Sequence, residues 1–156
     1  MTTYDVCMIG LGPVGTVSGL CFAKQGFQVI GLDVNPERVK SFENGTAPFA
    51  EPGVHDLVKE TLKMGTFRAS TDAKDAISKS RVTMIAVGTP TPEETGVPDL
   101  SYLESAAKTI GEAIKDVSHT PVIVVRSTVP PGTMRNLLGP IIEKHSGKKM
   151  GQGFHI

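Results

Sequence analysis

Three closely spaced glycines, Gly10, Gly12 and Gly15, form a pattern that could bind phosphate groups. They follow an apolar run over residues 6–9, which is typical of a buried strand, and they open a helical pattern. In such a turn the first glycine permits a tight exit from the strand, the second lets a phosphate approach the backbone, and the third lets helix and strand pack closely. Free N–H groups and the positive end of the helix dipole then attract an anion. The spacing predicts a bound pyrophosphate, with a tight turn that holds no ligand as the alternative.

Pro13 lies inside this turn and changes the set of hydrogen-bond donors. Because proline has no N–H, it removes one possible donor to a pyrophosphate. Val14 and Gly15 must then supply more of the hydrogen bonding. Changing Pro13 is therefore predicted to alter dinucleotide affinity only modestly.

An acidic residue, Asp33, ends the second apolar run, at about the 20-residue spacing where a ribose-binding acid is expected after a glycine turn. A carboxylate accepts hydrogen bonds from a ribose 2′-hydroxyl and repels a 2′-phosphate, so Asp33 favours NAD over NADP. Capping a helix is the alternative role for this residue. Arg38, one helical turn further on, is either a ribose or adenine contact or part of a solvated helix face. Together the glycine turn and Asp33 predict an NAD site.

Polar residues also follow two later apolar runs, at Gly88-Thr89 and at Ser127-Thr128. In a parallel sheet, ligands bind outside the carboxyl ends of the strands, near the point where the strand order reverses. Both pairs are therefore candidate binding residues, although Ser and Thr also serve as helix caps and turn formers. No spacing typical of a metal site is present, so none is predicted. A surface position is predicted for each of the four histidines, His55, His119, His145 and His155.

Strand and helix patterns alternate along the chain. The runs that predict strands cover residues 6–9, 27–33, 66–70, 82–87 and 121–126, and a sixth strand is predicted to start within residues 153–156. A capping box at Ser101 is predicted to begin the helix before the fifth strand. Cys7 and Cys21 are predicted core residues, since each lies within an apolar pattern. The alternation predicts an α/β fold of the Rossmann type, with a doubly wound, mostly parallel sheet.

The length of 156 residues fits one domain, residues 1–156, with no room for a second full domain. The 16 basic and 16 acidic residues balance, so no nucleic-acid surface is indicated. No apolar run approaches membrane-spanning length, and residues 1–5 do not resemble a signal peptide. Two cysteines without a disulfide pattern fit a reducing compartment. These features predict a cytoplasmic location, without nucleic-acid or membrane partners.

Four motifs occur in an order that resembles one protein family. They are Gly10–Gly15 with Asp33, Glu51-Pro52-Gly53, Val87–Pro90 and Arg126–Thr133. This set resembles the nucleotide-sugar dehydrogenases, which comprise the UDP-glucose and GDP-mannose 6-dehydrogenases, and the resemblance extends over the whole chain. It implies an NAD-dependent, two-step oxidation of the sugar C6 alcohol to a carboxylate, with one hydride passed to each of two NAD molecules.

The resemblance implies roles for residues of the cofactor site. Besides the three glycines of the turn, Pro13 and Val14 are expected to line the cofactor. Asp33 and Arg38 are expected to hold the adenosine ribose. Family members commonly carry an aromatic residue at the position of Pro13 and often a lysine at that of Arg38, and the chain departs from the pattern at both.

The resemblance also implies how the reacting end is arranged. Thr89 and Thr128 are expected near the nicotinamide, with Thr128 in a supporting catalytic role, and Glu51 is expected on the side of the sugar nucleotide. The family's nucleophilic cysteine and catalytic lysine belong to sequence beyond Ile156, and aldehyde capture needs that thiolate. The chain is therefore expected to be the NAD-binding N-terminal domain of such an enzyme, without turnover of its own and homodimeric when full length. Residues 126–129 and 146–149 resemble the GDP-mannose branch slightly more.

Three other classes share parts of this pattern. A non-catalytic nucleotide-sensing module also uses one doubly wound domain with a glycine turn and an acid on the second strand, but it does not need Glu51 or the Ser127-Thr128 turn. A methyltransferase could place a similar acid on a ribose, but it has no pyrophosphate to bind. The β-hydroxyacid dehydrogenases are the nearest enzymatic alternative, and the Glu51 and Thr128 motifs argue against them.

Overall fold

The structure, a computed structural model, describes residues 3–94 and 96–156. Five strands form the sheet: β1 (Tyr4–Ile9), β2 (Val29–Leu32), β3 (Phe67–Ser70), β4 (Ser80–Ile85) and β5 (Val122–Val125). The helices are α1 (Pro13–Lys24), α2 (Pro36–Glu43), α3 (Val54–Met64), α4 (Ala73–Ser78), α5 (Ser101–Ile114) and α6 (Gly139–Ser146), with a π-helical turn over Met134–Leu138 before α6.

All strand pairings in the sheet are parallel, in the order β3-β2-β1-β4-β5. The order reverses between β1 and β4, where a doubly wound sheet opens a crevice at its carboxyl edge. Beyond β5, the Ile123 amide donates to the His155 carbonyl at 2.8 Å and the His155 amide donates to the Pro121 carbonyl at 3.0 Å. A parallel bridge joins Val122 and His155, so the last residues lie where a sixth strand is predicted to start. The predicted fold class is confirmed.

Helices cover both faces of the sheet, and each face has its own buried cluster. One cluster joins α1, α2 and α3 to the sheet through Leu20, Phe42 and Val58, all fully buried. The other joins α4, α5 and α6 through Ile77, Ile110 and Ile142 among others. Burying one such aliphatic side chain contributes about 1.5–3 kcal/mol to the free energy of unfolding. The two clusters therefore hold the strand ends, and the loops that follow them, in a fixed relation.

The prediction that both cysteines lie in the core is wrong for Cys21. Cys7 is buried in β1, but Cys21 is exposed on α1. The buried face of α1 consists of Gly15, Thr16, Gly19, Leu20 and Ala23. Small residues on this face let the helix approach β1 closely, whereas Val14, with 53% of its surface exposed, turns outward like Cys21.

The start of α5 also differs from prediction. Ser101 is the first helical residue, and the residue before it, Leu100, makes no side-chain cap. Asp99 supplies an oxygen instead, since its Oδ1 accepts the Ser101 amide at 2.9 Å. The capping box is therefore wrong, because an acceptor two residues earlier binds the amide first. The preceding predicted loop, residues 91–99, includes Thr95, which lies outside the described residues, as do Met1 and Thr2.

Candidate functional site

The glycine turn lies between β1 and α1, where Gly10 and Gly15 are required by packing. Gly10 has a φ of +92°, a conformation that favours glycine, and a Cβ there would lie 2.8 Å from the Ala86 carbonyl oxygen. A Cβ on Gly15 would lie 1.9 Å from the Gly10 carbonyl oxygen. These two glycines therefore fix the close approach of α1 to β1 and β4, as the sequence predicts.

Gly12 differs from its two neighbours because the space around it is open. A Cβ at this position would meet no protein atom within 4 Å, and Gly12 has an ordinary extended conformation with φ −71° and ψ −177°. Packing therefore does not require a glycine here. Gly12 is the residue before the first turn of α1 and receives no side-chain cap, so the amides of Val14 and Gly15 have no partner within the helix. An open cradle beside free amides fits a pyrophosphate group.

Asp33 is buried at the carboxyl end of β2 and receives three hydrogen bonds. Its Oδ2 accepts the Leu11 amide at 2.8 Å and the Arg38 Nη1 at 2.9 Å, and its Oδ1 accepts the Asn35 amide at 3.0 Å. Burial alone raises the pKa of this carboxyl, but the amides of Asn35 and Leu11 and the Arg38 guanidinium outweigh it and hold the pKa below its ordinary value of 3.8. Asp33 is therefore an ionised acceptor directly beside the glycine turn.

Arg38 reaches Asp33 from the first turn of α2. Asn35 caps this helix, since its Oδ1 accepts the amides of Glu37 and Arg38 at 2.9 and 3.2 Å. The cap positions Arg38 so that its guanidinium forms an ion pair with the buried carboxylate while part of its side chain stays exposed. The contact places the Arg38 guanidinium at the predicted ribose acid, while its role as a ribose or adenine contact stays a prediction.

A cavity of about 500 Å³ opens at the carboxyl edge of the sheet and contains this carboxylate. Cofactor sites of this kind typically have volumes of about 300–1,000 Å³. Of the residues with predicted roles, it is lined by Gly10, Gly12, Asp33 and Arg38. Pro13 and Val14 are exposed on the outer side of the turn and lie outside the lining, as does the buried Gly15. The cavity thus brings together the predicted pyrophosphate and ribose residues.

Thr89 and Thr128 meet at the edge of this cavity, although neither belongs to its lining. The Thr89 hydroxyl donates to the Thr128 carbonyl at 3.0 Å, and the neighbouring Ser127 hydroxyl donates to the Val87 carbonyl at 2.6 Å. Val87 and Gly88 line the cavity, so the two loops are joined just beside it. The structure therefore brings together the two segments predicted to flank the nicotinamide.

Glu51 lies elsewhere. It is exposed and borders a shallower groove between α1 and α3, together with Val17, Cys21 and Leu57. The adjacent Gly53, with a φ of +78°, precedes the first turn of α3. The structure therefore does not bring Glu51 into the cavity that contains Asp33.

Several cavity-lining residues were not found by sequence reasoning. One face of α5 contributes Tyr102, Ser105, Ala106 and Thr109, the loops after β2 and β3 contribute Val34 and Thr71, and α4 contributes its first residue, Ala73. The α5 residues follow the spacing of one helical face, which a helical projection would have revealed. That face lies beside the buried face of the helix, which includes Leu103, Ala107 and Ile110.

The histidines make separate contacts and form no site. His55 Nδ1 accepts the Ala47 amide at 3.1 Å, His119 Nε2 lies 2.9 Å from the Ser80 carbonyl, and His145 lies 3.6 Å from Glu112. His55 and His155 are exposed as predicted, whereas His119 and His145 are half-buried, so the surface prediction is wrong for these two. Within residues 3–94 and 96–156, no group of three metal-ligating side chains exists.

The sheet order, the glycine turn and the buried acid at the end of β2 define a dinucleotide-binding domain of the Rossmann type. A family model described as the UDP-glucose/GDP-mannose dehydrogenase family, NAD binding domain, matches residues 4–156. The chain belongs to this family, and its cofactor is NAD. Among the classes that the sequence leaves open, this membership selects the nucleotide-sugar dehydrogenases.

Relatives of both named branches match the chain. The GDP-mannose 6-dehydrogenase of Pseudomonas putida is 40% identical over 151 residues, which cover 97% of this chain and 34% of the relative. The UDP-glucose 6-dehydrogenase TuaD of Bacillus subtilis is 42% identical over 141 residues, which cover 90% of this chain and 30% of the relative. The chain thus spans about a third of the length of the relatives it matches.

A solved structure of similar fold is the ternary complex of GDP-mannose dehydrogenase from Pseudomonas aeruginosa. It matches with a TM-score of 0.93 and 40% identity, over 96% of this chain and 34% of that chain. A UDP-glucose dehydrogenase from Pyrobaculum islandicum matches with a TM-score of 0.89 and 35% identity. No helix of the described ranges has both the length and the apolar character needed to cross a membrane.

Proposed function

We propose that the chain binds NAD in the cavity at the carboxyl edge of the sheet, as the cofactor domain of a nucleotide-sugar 6-dehydrogenase. The observation that carries the proposal is the placement of the open cradle at Gly12 beside the buried, ionised Asp33. The cradle suits the pyrophosphate, whose oxygens accept hydrogen bonds from the backbone amides of Val14 and Gly15. The carboxylate suits the hydroxyls of the adenosine ribose and disfavours a 2′-phosphate.

Arg38 donates a hydrogen bond to the Oδ2 atom of Asp33, which also accepts the Leu11 amide. A ribose hydroxyl that donates to Asp33 must share this oxygen or displace the guanidinium. Because Arg38 is held by the cap of α2, its side chain can move without a change in the helix. Arg38 is therefore proposed as a second contact of the ribose, beside the acid.

The nicotinamide end lies, in this proposal, at Thr89 and Thr128. The hydrogen bond between them joins the loops after β4 and β5 beside the cavity. Thr128 has a supporting role, because its backbone positions the loop that borders the reacting end. Val14 contacts the cofactor through its backbone amide, and Pro13 lies at the rim of the turn.

NAD, when bound, accepts a hydride from C6 of the sugar. For the whole enzyme, we propose that the C6 alcohol is oxidised first to an aldehyde and then, with addition of water, to a carboxylate, so that two NAD molecules are reduced. The second oxidation needs a nucleophile to hold the aldehyde. Burial raises the pKa of the Cys7 thiol, and Cys21 borders the groove between α1 and α3. Neither cysteine can serve, so this chain alone is proposed to be inactive.

GDP-mannose is the proposed substrate of the whole enzyme. The support is the Arg126–Val129 segment and the higher TM-score of the GDP-mannose dehydrogenase match, whereas sequence identity does not separate the branches. Glu51 remains a proposed residue of the sugar-nucleotide side, in its groove outside the NAD cavity. We propose that the whole protein is a homodimeric, cytoplasmic enzyme of polysaccharide biosynthesis. The two free thiols fit a reducing compartment.

Absorbance of reduced NAD tests the proposal in two preparations. The full-length protein is expected to reduce two NAD per GDP-mannose and to prefer GDP-mannose over UDP-glucose in direct competition. The 156-residue chain is expected to bind NAD but to reduce none with either sugar nucleotide. Reduction by the chain alone would contradict the assignment of the nucleophile, and a full-length protein that prefers UDP-glucose would overturn the choice of substrate.

A further inference from the structure

The outer face of α1 is exposed but carries almost no charge. A helix at the surface of a globular protein normally has charged residues opposite its buried side. Each of the helices α2 to α6 contains at least two acidic or basic residues, whereas α1 contains only Lys24. Lys24 forms an ion pair with Glu60 of α3 at 3.1 Å, so its charge is already matched. Depletion of charge on an exposed face is typical of a surface that another protein surface covers.

The groove between α1 and α3 continues this uncharged surface. Val17 and the exposed Cys21 border it from α1, and Leu57 borders it from α3. Met64 follows Leu57 by seven residues, which places it on the same side of α3, and 47% of its surface is exposed. An apolar strip therefore runs along both helices.

The outer ridge of α3 carries charges in an order that complements itself. Asp56 in the first turn and Lys63 in the last turn are both exposed, and their spacing places them on one side of the helix. Within the part of the chain that the structure describes, neither side chain forms an ion pair. A second copy of α3, packed antiparallel, sets Asp56 of each copy opposite Lys63 of the other. A two-fold axis generates both contacts at once.

We infer that the outer face of α1 and α3 is the contact surface for a second copy of this chain, with a two-fold axis that crosses α3 between Lys59 and Glu60. In this arrangement α1 of one copy lies against α1 of the other, which removes its uncharged face from water. A second copy fits better than an unrelated partner because the charge pattern of α3 complements itself. The inference gives a surface to the proposed homodimer and does not depend on the NAD site.

Sedimentation equilibrium of the 156-residue chain without NAD tests this surface. The wild type is expected to dimerise with a Kd on the order of 10 µM, because a two-helix contact buries less than the roughly 1,600 Å² of a standard interface. Asp56→Lys and Lys63→Asp should each raise this Kd about tenfold or more, since each reversal sets like charges opposite each other twice. Lys144→Asp is the matched control, because Lys144 is an exposed lysine of α6, on the opposite face of the sheet.

An equimolar mixture of the two reversed variants supplies the sharpest arm. In a mixed dimer, position 56 of each chain faces position 63 of the other with opposite charge. The mixture should therefore dimerise with a Kd within about threefold of the wild type, although each variant alone does not. This recovery also shows that both variants are folded.

Cysteine cross-linking tests the part of α1 separately. Cys21 is exposed and the other cysteine, Cys7, is buried, so a short bismaleimide reacts at Cys21 in the native chain. Covalent dimers are expected from the wild type and from the mixture, fewer from Asp56→Lys alone, and none from Cys21→Ser. A wild-type dimer that yields no covalent product would exclude α1 from the contact and overturn the inference.

The outcomes separate this surface from the proposed function. A wild-type chain that stays monomeric well above the expected Kd would overturn the surface, whether or not it binds NAD. A dimer that both reversals leave intact, or a mixture that stays monomeric, would overturn it equally. A wild-type chain that dimerises through these residues but binds no NAD would support the surface and contradict only the cofactor site.

Discussion

The two ends of the NAD cavity are built differently. At the Asp33 end, a buried carboxylate receives three hydrogen bonds, and Gly10 and Gly15 pack against backbone atoms with no room for a Cβ. At the Thr89 end, a half-buried hydroxyl donates to the carbonyl of the exposed Thr128, and both residues lie in irregular loops. The first end is held rigidly by the core, whereas side-chain hydrogen bonds hold the second.

This difference indicates that the Asp33 end controls cofactor binding and that the Thr89 end controls the placement of the reacting group. A lost hydrogen bond to a charged, buried group costs about 1.5–3 kcal/mol, and a neutral one costs about 0.5–1.5 kcal/mol. Changes at the Asp33 end should therefore affect folding and cofactor affinity strongly. Changes at the Thr89 end should affect mainly the placement of the nicotinamide.

Gly15→Ala should produce the largest effect. The new Cβ would lie 1.9 Å from the Gly10 carbonyl oxygen, so α1 must move away from the turn. We expect the free energy of unfolding to fall by about 3 kcal/mol or more, the upper range for overpacked sites. Urea unfolding followed by circular dichroism measures this change, with the slope checked for constancy.

Gly12→Ala is the matched control in the same turn. Its Cβ meets no protein atom within 4 Å, so the free energy of unfolding should change by no more than about 1 kcal/mol. NAD affinity should nevertheless fall about tenfold or more, because the methyl group fills the space where the phosphates approach. Equal destabilisation by both variants would contradict the distinction between a packing glycine and a ligand glycine.

Asp33→Asn should have the next largest effect, on cofactor choice. The amide keeps the shape of the side chain but removes the charge that binds Leu11 and Arg38. NAD affinity is expected to fall about 10–100-fold, while the preference for NAD over NADP narrows or disappears. Parallel titrations with the two cofactors measure both quantities, and an unchanged ratio of affinities would show that Asp33 does not select against the 2′-phosphate.

The same carboxylate should make stability depend on pH. Because the pKa of Asp33 is lowered in the folded chain, its contribution is fully present above the ordinary pKa of 3.8 and is lost as pH falls through the folded pKa. The difference in unfolding free energy between wild type and Asp33→Asn should therefore be constant near neutral pH and shrink below that value. A difference that stays constant into strong acid would be inconsistent with this account.

Thr89→Val should have a small effect that is confined to one end. The substitution removes the hydrogen bond to Thr128 but keeps the size of the side chain. We expect a loss of no more than about 1 kcal/mol in stability and no change in ADP-ribose affinity, since ADP-ribose lacks the nicotinamide. Equal losses of affinity for NAD and ADP-ribose would show that the two ends are not independent.

Pro13→Tyr should have the smallest effect. Pro13 is exposed, has no N–H to donate, and lies outside the cavity lining. NAD affinity is expected to stay within about threefold of the wild type, or about 0.6 kcal/mol, the low end of the range for one neutral hydrogen bond. A larger gain or loss by calorimetric titration would contradict the prediction that the side chain at this position contributes little to NAD affinity.

The sequence predicted the Asp33 end better than the walls of the cavity. The glycine spacing and the distance to Asp33 are properties of consecutive residues, so one strand–turn–helix unit carries the information. Tyr102 comes from a helix far along the chain, and its approach to Asp33 depends on the strand order β2-β1-β4. Local patterns contain no information about the strand order. The spacing of the α5 residues that line the cavity can be read from the sequence only once that face is known to border a site.

The errors of prediction have equally specific causes. Cys21 was placed in the core by apolar spacing, but the face of α1 that packs on the sheet is set by Gly15 and Gly19, whose small size carries no weight in a hydrophobic pattern. Ser101 is a residue type that often caps a helix, yet its own amide donates to the Asp99 carboxylate two residues earlier. Both errors concern competition between neighbours, which composition alone does not resolve.

A crystal structure of the chain with NAD tests the central claim most directly. The account predicts the pyrophosphate beside Gly12 and within hydrogen-bond distance of the Val14 and Gly15 amides. It also predicts the adenosine ribose hydroxyls on the Asp33 carboxylate. NAD bound elsewhere, or bound in the cavity with its ribose away from Asp33, would contradict it.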